Sequence, residues 1–493
     1  MRDKIILIFI ILIGIAIIFS VQFALPTLFS ADGYLHIRMA KFLRQYGPYY
    51  NFRWARFSIF ATNFADKDFL YHVLLVPFSF SPNIFWAAKL SAAICASALY
   101  MLFWIVLKRY CKIKAIIPLF LLAFLGSAPF LQALSQPRNM VLIIGLTLVF
   151  VHSLIQKRAY YLFAISVLYG LSHVSSPYLL LFVLMAELVR FINEKVFWWR
   201  SLVATGIGVL LAFLTHPHFP NNFLVFYLNG IQVPIFALKW GLELGAEFFP
   251  LNTRDLVLGY PFILLAVILL LAMGLSRARQ ISIATKIWFC IAGFFFIFSF
   301  FSQRYLIHAY PLILIAWASY ISDWWQVQVL PTNLKNNPLF ISLIVLVMAA
   351  VFLPIGIHTY KDLRQRLQSE LIYNQHYERI GKWMSEHIPP GEVIFHTNWS
   401  DSQYFIGLNP QDDYMVTLDP IYMYYWSPAI YNMYRQIAFG NNAEPYTLLK
   451  KVFGVRYGYA GKNYFSGFIQ QVKSDSRFEI LVEDALGIIF RLR

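Results

Sequence analysis

A carboxylate, a histidine and two cations lie within one stretch of ten residues, directly after the apolar run 5–25. They are Asp32, His36, Arg38 and Lys41. Charged groups at the end of a membrane segment are tolerated where they face water or a polar cavity, and an anchor does not need an acid, a base and a cation together. Such a set can accept a proton, bind a cation or bind a phosphate. The alternative is a belt of interfacial residues that snorkel to the membrane surface.

A second set of ionisable residues lies further along the same segment. Asp66, Lys67, Asp68 and His72 place two carboxylates beside a cation and a histidine. This combination suits the binding of a hard cation and a phosphate together. Long loops among otherwise short ones usually have a function. Taken alone, however, residues 66–68 are more typical of a solvated turn.

Three other places in the sequence are candidates for binding. Arg304 is the only cation of a short predicted outward loop, and its planar guanidinium suits phosphate oxygens, although an interfacial arginine is the alternative. Glu243 lies four residues before Glu247, so a helix would direct both side chains towards the same outer cavity. His216 and His218 could ligate a metal, but a polar loop is favoured because the sequence offers no third ligand in reach.

The composition is that of a polytopic membrane protein. Of the 493 residues, 59% are hydrophobic and 13% are charged, and the mean hydropathy is +0.60. The formal net charge is +16, but Lys and Arg lie in short clusters between apolar runs, which is the pattern of cytoplasmic loops and not of a nucleic-acid site. Cys95, Cys111 and Cys290 are widely spaced, and we interpret them as packing residues.

The apolar runs predict about eleven transmembrane helices, of which the first is an uncleaved span. The positive-inside rule places the N-terminus and the basic linkers in the cytoplasm. The predicted linkers are 108–114, 156–158, 190–200 and 276–286. The long first loop, 26–71, and everything after residue 357 then lie outside. We therefore predict a polytopic α-helical membrane domain over 1–357 and an extracytoplasmic domain over 358–493.

The C-terminal region alternates between helix and strand patterns. Tyr373 to His387 is predicted to be a helix that ends before two prolines and a glycine. Alternating apolar residues predict strands, and helical periodicity predicts two further helices. The strands are predicted at 392–397, 414–418, 456–460, 478–482 and 486–492, and the helices at 428–438 and 447–453. Strands alternating with helices predict a small α/β domain.

Three motifs resemble those of the GT-C superfamily of integral-membrane glycosyltransferases. Asp32-Gly-Tyr-Leu-His-Ile-Arg resembles the Asp-x-Tyr-x-His-x-Arg pattern of oligosaccharyltransferase catalytic subunits. Residues 66–80 resemble the Lys-Pro-Pro-Leu-x-x-x-Leu element of protein mannosyltransferases and aminoarabinose transferases, with Asp68 and Phe69 in place of the prolines. Residues 303–311 resemble the Arg-Phe/Tyr-x-x-Tyr/His-x-x-Pro pattern of the same enzymes. The resemblance implies an enzyme that takes a sugar from a polyprenyl-phosphate or polyprenyl-diphosphate carrier on the outer face of the membrane.

The resemblance also implies a role for each candidate residue. Asp32 would take or polarise the acceptor's proton and would be a ligand of a divalent metal, Mg²⁺ or Mn²⁺. Asp68 would be a second catalytic carboxylate, and Lys67 and Arg304 would contact the lipid phosphate. The other predicted substrate-binding residues are His36, Arg38, Asp66, His72, Glu243, Tyr305, Trp399 and Asp401. Asp401 is equally a candidate for a helix N-cap.

The sequence departs from the oligosaccharyltransferase pattern in two places. The second outward loop, within 133–140, has no carboxylate for a metal, and the Trp-Trp-Asp-Tyr-Gly signature is replaced by the dissimilar segment 398–404. We predict a glycosyltransferase of the cell membrane that acts on a protein, lipid or glycan acceptor, with membrane lipids as partners and no nucleic acid. The alternatives are a transporter or flippase for lipid-linked glycans, an O-antigen polymerase or ligase, and a structural scaffold. The predicted spans contain few ionisable residues, which argues against a transmembrane path.

Overall fold

The chain before residue 328 is mainly helical. The computed structural model describes residues 2–237, 239–272, 281–327, 338–463 and 465–493. The helices of this first part are α1 (Arg2–Gln22), α2 (Ser30–Tyr46), α3 (Phe69–Leu75), α4 (Ile84–Tyr110), α5 (Ile117–Phe124), α6 (Ala128–Ser135), α7 (Met140–Ile155), α8 (Ala159–Ser172), α9 (Tyr178–Glu194), α10 (Trp199–Thr215), α11 (Asn221–Val225), α12 (Val233–Phe236), α13 (Thr253–Gly259), α14 (Pro261–Ala272), α15 (Ile283–Ser299) and α16 (Arg304–Val327). Such helices satisfy their own backbone groups, which an apolar environment requires.

Among the described residues, three helices are long and apolar enough to cross a membrane: α1 from Ile5, α4, and α16 as far as Trp325. Helices α5 and α6 are bent by 72° and together would form a fourth span or a re-entrant loop. The apolar helices α7, α8, α10 and α15 are shorter than the roughly 20 residues that a bilayer crossing needs. The predicted count of about eleven spans is therefore not confirmed. Residues 273–280, which include part of a predicted basic linker, lie outside the described part of the chain.

The segment that carries Asp32 is a helix, although we expected the first outward segment to be a loop. Helix α2 has 17 residues and buries Tyr34, Leu35, Ile37 and Met39. The helix is buried over the consecutive residues 33–37 and again at Met39 and Ala40, because α3, α4 and the later helix Asp401–Leu408 all pack on it. This packing fixes Asp32 in the first turn of the helix.

The last predicted span, 339–357, forms the first part of one long helix that continues into the C-terminal region. Helix α17 (Pro338–His387) has 50 residues and runs through the predicted domain boundary at 357/358, so the division into two domains stays a prediction. The predicted helix Tyr373 to His387 is its last part. The chain turns at Gly391, whose φ of +91° lies in the left-handed region that glycine adopts without strain.

A mixed sheet follows α17. Its strands are β1 (Val393–His396), β2 (Asp413–Tyr414), β3 (Tyr457–Gly461), β4 (Phe478–Glu483) and β5 (Gly487–Leu492). In the described chain the sheet has five strands in the order β2-β1-β3-β5-β4, with β1 parallel to both neighbours and β5 antiparallel to β3 and β4. The accompanying helices are α18 (Asp401–Leu408), α19 (Pro420–Trp426), α20 (Pro428–Ala438), α21 (Pro445–Lys451) and α22 (Ser466–Ser474). Each predicted strand overlaps an observed one, and the α/β prediction for this region is confirmed.

Residues 26–71, which we predicted to lie outside, and the C-terminal region share one hydrophobic core. Trp54 and Phe60 are buried together with residues of the sheet, and the Phe60 ring lies 3.9 Å from the ring of Tyr422. Trp54 also donates through Nε1 to the carbonyl of Pro410 at 2.8 Å. Helix α18 packs directly on α2, where Arg38 Nε donates to the carbonyl of Gly407 at 3.0 Å. This packing holds the C-terminal region over the helix that carries Asp32.

Candidate active site

Four charged residues from four separate elements form a continuous network. Arg138 Nε lies 2.7 Å from Asp32 Oδ2, and Arg138 Nη1 lies 3.2 Å from Glu247 Oε2. Arg304 Nη1 lies 3.6 Å from the other carboxylate oxygen, Glu247 Oε1. Asp32 belongs to α2, Arg138 to the connection between α6 and α7, Glu247 to a short 3₁₀ segment after α12, and Arg304 to the start of α16. The structure thus brings together Asp32 and Arg304, which are 272 positions apart in the sequence.

Glu247 is the carboxylate at the centre of this network. Burial alone would raise its pKa, but the guanidinium groups of Arg138 and Arg304 outweigh burial and hold the pKa at about 2. Glu247 is therefore ionised throughout the neutral range. Arg138 was not among the predicted site residues. It is the only charged residue of its short loop, and this feature of the sequence could have identified it as a candidate.

The divalent metal implied by the resemblance does not fit the residues present. The Asp32 carboxylate is in contact with the Arg138 guanidinium, whose positive charge would repel a metal ion at the same oxygen. Among the described residues, no group of three or more His, Cys, Asp or Glu side chains is placed to hold a metal ion. The predicted role of Asp32 as a metal ligand is therefore not supported.

A buried chain of side chains links Asp66, His72 and His36. His72 Nδ1 donates to Asp66 Oδ2 at 2.6 Å, and His72 Nε2 lies 2.8 Å from His36 Nδ1. Burial would lower the pKa of His72, but the Asp66 carboxylate outweighs it and raises the pKa. Burial and the neighbouring His72 lower the pKa of His36 to about 4. A protonated His72 can therefore donate to both Asp66 and the neutral His36.

Asp68 lies between the hydrogen-bonded series Asp66–His72–His36 and the Asp32 network. Its Oδ1 accepts a hydrogen bond of 2.9 Å from Asn139 Nδ2, next to Arg138. Burial would raise the pKa of Asp68, but the positive charge of Lys67 and the neighbouring His36 hold it well below its usual range. Asp68 is therefore an ionised carboxylate fixed beside the loop that carries Arg138.

The remaining predicted residues lie at the junction with the C-terminal region. Glu243 Oε1 lies 3.7 Å from Arg435 Nε, and the ring of Trp399 is close to Gly245. Asp401 begins α18, and its Oδ1 accepts a hydrogen bond of 2.6 Å from the Tyr377 hydroxyl. Burial raises the pKa of Glu243 and of Asp401 to about 7 each. Among the described residues, no ion pair or hydrogen bond joins Glu243, Trp399 or Asp401 to the Asp32 network. Arg38 supports the packing of α18 through its bond to Gly407.

The aromatic and histidine candidates have packing or backbone contacts. The Tyr305 ring packs against Phe298, with 5.6 Å between the ring centroids. His218 Nε2 donates to the carbonyl of Tyr49 at 2.8 Å, and His216 Nδ1 accepts from the backbone N–H of His218 at 3.2 Å. The polar-loop interpretation of the two histidines agrees with these contacts.

A cavity of about 260 Å³ lies apart from this network, between α17, α18 and the end of β3. Tyr377, Asn398, Asp401 and Tyr459 are among its lining residues, and none of the four network residues is. Asp401 Oδ2 is buried without a hydrogen-bond partner among the described residues. The volume is somewhat below the roughly 300–1,000 Å³ typical of pockets for drug-sized ligands.

The described structure has the fold of the GT-C integral-membrane glycosyltransferases, as the sequence resemblance predicted. The apo oligosaccharyltransferase of Archaeoglobus fulgidus matches it with a TM-score of 0.67 at 12% identity, over 92% of this chain and 69% of that chain. ArnT from Cupriavidus metallidurans, bound to undecaprenyl phosphate, matches with a TM-score of 0.62 at 12% identity, over 98% of this chain and 97% of that chain.

The A. fulgidus oligosaccharyltransferase AglB has also been solved in complex with an inhibitory peptide and a dolichol-phosphate. That structure matches with a TM-score of 0.62 at 12% identity, over 92% of this chain and 69% of that chain. No protein-family model and no curated protein sequence matches this chain. The similarity to these solved structures is therefore a similarity of fold.

Proposed function

We propose that this protein is a glycosyltransferase that moves a sugar from a polyprenyl-phosphate or polyprenyl-diphosphate donor to a protein, lipid or glycan acceptor. The observation that carries the proposal is the Asp32–Arg138–Glu247–Arg304 network. It joins a carboxylate to two guanidinium groups at the predicted outer ends of the spans, which is what transfer from a phosphate leaving group requires. Undecaprenyl phosphate in ArnT and dolichol-phosphate in AglB support a lipid-phosphate donor on this fold.

In the proposed reaction, the acceptor oxygen or nitrogen bonds to the anomeric carbon of the sugar while the bond from that carbon to the phosphate oxygen breaks. The acceptor proton passes to the Asp32 carboxylate, and the lipid phosphate or diphosphate leaves as an anion. Arg304 stabilises the charge that develops on the leaving oxygen through charge-assisted hydrogen bonds. Arg138 fixes the orientation of the Asp32 carboxylate. Asp68 is held beside the loop that carries Arg138 by its hydrogen bond from Asn139, and Lys67 precedes it in the chain.

The proposal places the N-terminus in the cytoplasm and the network on the outer face of the cell membrane. Mass spectrometry of cell-surface glycans, glycolipids and glycoproteins from a strain that lacks this protein tests it. We expect one glycan class to lose a sugar while the lipid-linked donor accumulates on its carrier. An unchanged surface glycan profile together with an unchanged pool of lipid-linked sugars would contradict the proposal.

A further inference from the structure

The Glu247 carboxylate lies between two guanidinium groups, with one oxygen directed to each. Oε2 is 3.2 Å from Arg138 Nη1, and Oε1 is 3.6 Å from Arg304 Nη1. The Arg304 guanidinium also lies 5.4 Å from the centre of the Phe248 ring, which limits where it can turn. The two arginines therefore form a site for an anion with at least two oxygens, and a side chain of the protein itself fills that site.

A phosphate group matches this site at least as well as a carboxylate. Both anions present oxygens in the geometry that the planar guanidinium fork binds, and a phosphate has more oxygens and more negative charge. A carboxylate and a phosphate cannot occupy the same position, and their like charges would repel each other at adjacent positions. A phosphate that binds the same two nitrogens, Arg138 Nη1 and Arg304 Nη1, would therefore replace Glu247.

We propose that Glu247 occupies the position of the donor's phosphate in the ligand-free protein, and that the phosphate of a lipid-linked donor binds between Arg138 and Arg304 by displacing it. The inference rests on the proposed function, because it identifies the anion as the donor's leaving group. Without donor, Glu247 and Asp32 together balance the charge of the two arginines, which would otherwise face each other in a partly buried place. With donor, the same cations are free to bind the phosphate.

Hydrogen bonds fix the backbone around Glu247, whereas its side chain, paired with the two arginines, is 31% exposed. The carbonyl of Glu247 accepts a hydrogen bond of 2.8 Å from Ser302 Oγ, and the backbone N–H of Gln303 donates to the carbonyl of Phe249 at 3.0 Å. The segment is thus attached to the residues just before Arg304. Rotation about the side-chain bonds of Glu247 is enough to remove its carboxylate from the arginines, without movement of the segment.

Binding of farnesyl phosphate to the purified full-length protein tests the inference. For the Glu247→Gln variant we expect roughly tenfold tighter binding than for the wild type, because no charged side chain competes for the site. Arg138→Ala and Arg304→Ala should both bind more weakly. Glu386→Gln is the matched control, because Glu386 is exposed on α17 and lies 3.9 Å from Lys382. It should bind as the wild type does.

A second measurement covers the case in which a variant is unstable. Without ligand, Glu247→Gln should melt at a lower temperature than the wild type, and farnesyl phosphate should raise its melting temperature by more than it raises that of the wild type. Weaker arginine variants together with equal or weaker binding by Glu247→Gln would overturn the inference and leave the proposed function standing. Binding that is unaffected by either arginine variant would overturn the phosphate site of the proposed function as well.

Discussion

Arg138 Nε contacts Asp32 Oδ2 at 2.7 Å, so the carboxylate proposed to act on the acceptor is paired with a guanidinium from a different loop. The same guanidinium reaches Glu247, and through it Arg304. One arginine thereby connects the acceptor side of the proposed reaction to its phosphate side. Arg138 thus places a positive charge directly beside Asp32.

The exchange of Asp32 for asparagine should remove catalysis and leave the fold intact. Asparagine keeps the shape and a hydrogen-bond acceptor for Arg138 but cannot take a proton, so we expect transfer to fall roughly 10²- to 10⁴-fold. Transfer from a radiolabelled lipid-linked donor fraction to endogenous acceptors measures the effect. Asp362→Asn is the control, because Asp362 forms a partly exposed pair with Arg366 on α17 and should not affect transfer. Full activity of Asp32→Asn would favour a polymerase or ligase of the O-antigen type.

Removal of divalent metals should have little effect on transfer. The positive charge next to Asp32 comes from Arg138, which chelators do not remove. We expect the rate after treatment with EDTA to stay within about twofold of the untreated rate, and added Mg²⁺ or Mn²⁺ not to increase it. Arg138→Ala should reduce the rate in both conditions. A rate that disappears with EDTA and returns with Mn²⁺ would show that a metal binds in spite of Arg138.

The sequence predicted the structure best where the signal was local, such as an apolar run or a charged residue at the end of one. Apolar runs predicted a helical membrane protein, and the change of pattern after residue 357 predicted the strands of the C-terminal sheet, because both signals are local. Asp32 and Arg304 were predicted because an ionised group at the end of an apolar run costs free energy unless it faces water or a polar cavity. The number of spans was not confirmed, since several apolar helices are too short to cross a bilayer alone.

Contacts between distant segments were not predictable in the same way. Arg138 was noted only as part of a loop without a carboxylate, and its pairing with Asp32 depends on how α2 meets the end of α6. The hydrogen bond between Asp66 and His72 joins residues six positions apart, a spacing that matches neither the helix nor the strand period. The shared core around Trp54 depends on folding the C-terminal region back over the first outward segment.

The pair of Asp66 and His72 should make stability depend on pH. The pKa of His72 is raised in the folded protein, so its contribution is complete below the unfolded value of about 6.5 and is lost as the pH rises through the folded pKa. Burial opposes ionisation of Asp66, but His72 holds its pKa below the usual value. The contribution of Asp66 is therefore present above about pH 3.9 and is lost as the pH falls through the folded pKa.

Asp66→Asn should accordingly lower the melting temperature more at pH 5.5 than at pH 9. At pH 5.5 the variant loses an ion pair, and the part of that loss due to the charge of His72 disappears as the pH rises through the folded pKa of His72. Thermal unfolding in detergent at the two pH values measures the difference. Asp475→Asn should show a small, pH-independent effect, because Asp475 pairs with Arg477 on the surface. An equal loss at the two pH values would mean that the charge of His72 in the folded protein does not change between them.

Gly407→Ala should weaken the attachment of the C-terminal region to α2. A Cβ atom at Gly407 would lie 2.5 Å from the Cβ of Tyr34 and 2.8 Å from its backbone, so one of the two helices would have to move. We expect a loss of about 1–3 kcal/mol in the free energy of unfolding, together with reduced transfer because α2 carries Asp32. Gly356→Ala is the matched control, since a Cβ there meets no atom within 4 Å and alanine favours the helix. Equal stability of the two variants would indicate that α2 and α18 are less closely packed than the structure shows.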